Sequence, residues 1–173
     1  MLEYWKISMK ASRRKKKIEF ALTHYRKDEK LVELVKKTNH RTLALWSIDC
    51  AKHVMHYFEK EHPEDKRPRK AIETLQSWIN TGVFKMDTVR KVSLDSHAAA
   101  REVGEDNAAR SAARAAGQAV ATAHVLTHSI GSAIYALQAI HRASNASDAD
   151  AAVAKERDWQ FQHLLRLRED ASV

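Results

Sequence analysis

The sequence predicts an all-α fold, a compact single-domain array of about six or seven helices with an Ala-rich C-terminal half and no sheet. Three observations carry that prediction. Four Gly and two Pro in 173 residues are too few turn formers for a β-sandwich or a barrel. Apolar side chains recur at helical spacing through most of the chain, and no run alternates with β-branched content as a strand does. Alanine, the strongest helix former, occurs twenty-one times in residues 96–154 and only five times in residues 1–95.

The elements follow in chain order. A basic leader over residues 1–27, partly helical through Ile18, Phe20 and Leu22, precedes a single helical domain over 28–173. Residues 28–38 carry Leu31, Leu34 and Val35 on one face, with acids first and lysines last as the helix dipole prefers. Asn39 interrupts. From His40 to Glu61, Leu43, Trp46, Cys50, Val54 and Phe58 step by three and four, and Pro63 ends the helix. Pro68 suits the first turn of the next, where its missing N–H costs little, and Ile72, Leu75, Trp78 and Ile79 carry a buried face to Gly82. Asp87 is a candidate N-cap for a helix to Val103, closed by Gly104, and Asp106 for the Ala-rich helix after it. A kink or short break is expected near Thr127, with Ile130, Ile134, Leu137 and Ile140 as a fresh segment. The loop 142–150 leads into a final helix with Val153, Trp159, Phe161, Leu164 and Leu167 as its apolar face.

Composition narrows the function. The single cysteine, Cys50, on the apolar stripe beside Trp46, excludes an intramolecular disulfide framework and a Cys-based zinc site, and points to the reducing cytoplasm. No apolar run is long enough for a membrane span. Four glycines supply no phosphate loop, no dinucleotide fingerprint and no nucleophile elbow. The formal charge of +8 is uneven, because residues 1–30 hold ten Lys/Arg against four Asp/Glu and the remainder is almost balanced. Nucleic acid is therefore expected to bind, if at all, only through residues 1–30, whose run Arg13-Arg14-Lys15-Lys16-Lys17 also reads as a solvated end.

Polar side chains at positions where a structural helix would carry Ala or Leu are the informative ones. His124 and His128 stand four apart, with Arg110, Arg114 and Gln118 upstream on the same face. His97 and Arg101 make a second such pair, Asp49 and His53 a third, and Tyr135 lies off the main stripe of its helix. Three readings fit. The histidines are half-buried and hydrogen-bonded, orienting helices; or they form with the arginines a surface for a partner; or His97, His124, His128 and Asp49 are metal ligands on neighbouring helices. The chain lacks HExxH, and the expectation is no metal and no cofactor. Asp49, His97, Arg101, His124 and His128 are expected to converge, with Arg114, Gln118 and Tyr135 completing one candidate binding surface.

The segments LALWSIDCAKHVMHYFE, RPRKAIETLQSWI, SHAAAREV and ARAAGQAVATAHVLTHSIGSAIYALQA, in this order over residues 40–165, resemble the fifth-numbered class of immunity proteins and its relatives from bacterial polymorphic-toxin loci. The resembling positions are Trp46, Asp49 and Cys50; Arg67, Pro68, Arg69 and Ala71; Trp78, His97 and Arg101; and His124, His128 and Tyr135. Where that pattern has a histidine after the glycine, this chain has Gln118, a poor ligand for a transition metal. The resemblance implies an all-α, non-catalytic protein that neutralises a cognate protein toxin. The alternatives that stay open are an enzyme using the His97/His124/His128 cluster and a nucleic-acid binder using the leader.

Overall fold

The structure, a computed structural model, describes residues 28–171; the basic leader expected over 1–27 lies outside the described residues. Among the described residues there are seven helices and no strand, and 79% of them are helical. The chain divides into two units, residues 1–36 and 37–173.

In the first unit the described element is α1, Glu29–Lys36. Asp28 accepts from the Leu31 N–H at 2.9 Å, Glu29 and Lys36 sit at the ends the dipole favours, and Leu31, Leu34 and Val35 are buried.

The second unit holds the other six helices. α2, His40–Glu61, starts at Asn39, whose side chain accepts from the Thr42 N–H at 2.9 Å, and it stops just before Pro63. α3, Arg67–Thr81, has Pro68 in its first turn and ends at Gly82, whose φ of +70° is the left-handed conformation that glycine adopts without a Cβ clash. α4, Met86–Glu102, begins one residue before the expected Asp87, which lies in its first turn; Lys85 is the N-cap and donates no side-chain cap. Arg67 clamps α3 to α4 by a fork onto Asp65 and Glu102, with Nη1 3.0 Å from Glu102 Oε1; those bonds raise the Arg67 pKa and lower that of both carboxyls.

α5, Ala108–Ala121, is capped by Asn107 instead of the expected Asp106, because the Asp106 carboxylate is taken by Arg142 at 2.7 Å and Asn107 Oδ1 accepts from the Arg110 N–H. α6, His128–Ala143, and α7, Ala149–Asp170, complete the unit. The break expected near Thr127 spans Thr122 to Thr127, so His124 is not on a helix.

α5 is the central helix and packs on α2, α3, α4 and α6; α7 packs on α2 and α6. Alanines at 109, 112, 113, 115, 116 and 119 are all fully buried, which is what lets four helices approach one. Antiparallel pairing sets the register. Ser93 and Ser96 of α4 donate to the carbonyls of Gly117 and Ala113, and Ser132 of α6 donates to the Ser47 carbonyl of α2. No helix among the described residues is long and apolar enough to cross a membrane.

Candidate functional site

Of the fourteen residues of α5, only Arg110, Arg114 and Gln118 are not buried. They stand four apart, so the central helix shows a single line of side chains on one face. That face lies between α4, which contributes His97 and Arg101, and α6, which contributes His128, Tyr135 and Arg142.

One half of the line is built from imidazoles and an amide. His128 Nδ1 lies 2.8 Å from Gln118 Oε1, and Gln118 Nε2 lies 3.5 Å from His97 Nε2. An amide oxygen only accepts, so His128 carries its proton on Nδ1 and presents Nε2 as an acceptor. Two glycines make room for this arrangement. A Cβ on Gly117 would meet His97 Cε1 at 2.8 Å, and one on Gly131 would meet Gln118 Oε1 at 2.5 Å. The His124 ring stands 5.2 Å from His128, although the two are no longer on one helix. Burial, and then the charge of His124, hold the His128 pKa below its ordinary value. Val125 and Leu126, between the two histidines, are exposed and add apolar surface.

The other half is basic. Arg142 binds Asp106 and donates to Ser111 Oγ at 2.7 Å, which in turn stands 3.3 Å from Gln138 Oε1. Arg110 Nη1 stands 3.6 Å from Asp106, too far for a hydrogen bond. Arg114 is half-buried and has no hydrogen-bond acceptor among the described residues. Burial pushes its pKa down, and Arg101 and Arg110 push it further, while the neighbouring Tyr135 and Asp106 pull it back up.

The structure thus brings His97, Gln118, His124 and His128 together at one end of the strip, and Arg101, Arg114 and Tyr135 at the other. Asp49 is not among them. Its carboxylate accepts from His163 Nε2 at 2.7 Å, and its expected companion His53 bonds Glu156 at 2.8 Å, both across the α2–α7 seam. Trp159 lies between those two imidazoles, 4.3 Å from the His53 ring and stacked at 5.0 Å on His163. Cys50 is fully buried in this seam, its thiol pKa raised by burial and by Glu156 and Asp49, which fits a small core residue and not a nucleophile. Among the described residues no group of three His, Cys, Asp or Glu is disposed to hold a metal ion. Trp78, expected in the core, is half-buried: its ring lies against His40 and lines a cavity of about 370 Å³ between α3 and α4.

Sequence reasoning missed Arg142 and Asp106 as members of the strip. Arg142 is seven residues after Tyr135, which is seven after His128, and that heptad spacing puts all three on one face of α6.

Over residues 33–167 the chain matches the family described as Imm-5 like putative immunity protein. No curated protein and no solved structure matches it.

Proposed function

The chain belongs to the Imm-5 like immunity protein family, and from that membership we propose that it is a non-catalytic interaction protein that neutralises a cognate protein toxin through the strip on α5. One observation carries this reading. A helix whose other residues are buried, most of them alanine, displays two arginines and a glutamine in line, and Arg114 among them makes no hydrogen bond to the described residues while burial disfavours its charge. Packing alone would be served better by alanine or leucine at that position. A guanidinium already stripped of much of its water and held by its surroundings is pre-organised for a partner's acceptor, and arginine is enriched at the residues that dominate protein interfaces. The exposed Val125 and Leu126 beside His124 and His128 supply the apolar contact such an interface also needs.

The test is co-expression of the chain with the product of each reading frame adjoining its own gene, a product that arrests growth by itself serving as the toxin. Growth should be restored by the wild-type chain, and the two proteins should co-purify. Growth arrest that the chain fails to relieve, with both proteins produced, would sink the reading.

A further inference from the structure

We propose that the arginine end of the strip is a seat for a carboxylate side chain of the partner protein, clasped by Arg101, Arg110, Arg114 and Arg142. This deepens the reading above and rests on it for the identity of the partner.

Arg110 and Arg142 both approach Asp106, at 3.6 and 2.7 Å, and Arg114 stands one turn along α5 from Arg110; Arg110 weighs against the charge of both Arg114 and Arg142, Arg101 against that of Arg114, and Asp106 favours both. Of the nearby acids, Glu102 at the end of α4 is engaged by Arg67, and Glu105 in the α4–α5 connection is exposed. Asp106 is itself committed, to Arg142. Like charges held close in a partly desolvated place repel strongly, and an added anion relieves the repulsion.

Unused donors point the same way. The Arg110 side chain is only 13% exposed, yet its Nε is buried with no acceptor and its Nη1 reaches Asp106 only at 3.6 Å. Arg114, half-buried one turn further along α5, brings a second guanidinium with no acceptor among the described residues. Two planar forks beside each other match the paired oxygens of a carboxylate, and the start of α5 adds its partial positive charge. The partner is then acidic where it meets this chain. An inhibitor that competes with nucleic acid for a cationic groove has the opposite polarity.

Phosphate has the same oxyanion chemistry, and the experiment separates it from a carboxylate. The full chain is titrated with a hexaglutamate peptide and, separately, with inorganic phosphate, while the Nε–Hε resonances of the arginines are followed by NMR. The peptide should shift Arg110 and Arg114, and its affinity should fall about tenfold in Arg114→Gln, the loss of one charge-assisted bond. Arg101→Gln, which alters an exposed side chain and leaves the fold untouched, should weaken it in the same direction. Equal affinity in both variants, or shifts confined to the basic residues 1–30, overturns the proposal; so does phosphate saturating the arginines at a lower concentration than the peptide. No toxin enters this titration, so its failure leaves the neutralisation reading standing. Failure of the growth test, with the peptide bound as expected, would remove the partner and leave the site.

Discussion

At Gly131 a hydrogen stands where any other residue has a Cβ, and the Gln118 amide occupies the space. Alanine there gains about 0.5–1 kcal/mol of helix propensity, while the amide, at the end of a flexible side chain, must swing away. Gly131→Ala should therefore keep its stability within about 1 kcal/mol of wild type in urea melts and still cost His128 its acceptor. Imidazole resonances of His128 that stay unchanged would show that the glycine is not what seats Gln118. The tryptophans separate just as clearly. Trp46 is fully buried with Nε1 donating to the Gln160 carbonyl at 2.9 Å, so Trp46→Ala should lose about 3–5 kcal/mol in the same melts. Trp78→Ala should lose clearly less, because its ring is half-buried beside His40. Both lie on the apolar phase of their helices, and phase alone does not tell a core ring from one lining a surface cavity.

Elements differ in how plainly they announce themselves. α2 could be read to its ends because its apolar stripe, Asn39 and Pro63 agree, whereas the inner face of α7 is Val153, Glu156, Gln160 and Leu164. Two polar residues in core positions hide the period, so Trp159 and Phe161, which are half-buried, looked like its core. The break near Thr127 was legible, but its early start at Thr122 was not. No Gly or Pro marks it, and the Thr122 carbonyl is met by His40 Nε2, eighty-two residues away in sequence. Glu156 gives α7 a measurable property. Burial raises its pKa above the usual carboxylate value of 4.5, with His53 and Gln160 pulling it back. A carboxyl with a raised folded-state pKa contributes stability that is complete below its unfolded pKa and lost as the pH climbs through the raised value. Glu156→Gln cannot lose its proton, so wild type should fall behind it in urea melts as the pH rises from about 4.5 toward neutrality. A stability difference that stays flat with pH would show that His53 cancels the cost of burying the charge.

For the molecule as a whole, composition and period were enough for the helical class, and the polar line on α5 was legible because side chains four apart share a helix face. What stayed hidden depended on partners distant in sequence. Asp49 paired with His163, and Arg142 entered from the far end of α6 to hold Asp106. Net charge was equally silent, since the near-balanced body conceals a local excess of arginine around Asp106. The claim that this strip exists for recognition and not for folding is tested most directly at Arg114. In Arg114→Ala, stability should change by under about 1 kcal/mol, while affinity for the cognate toxin, measured by calorimetry, should fall by about tenfold or more. Toxin binding as tight as wild type, or unfolding as severe as that of Trp46→Ala, would contradict it.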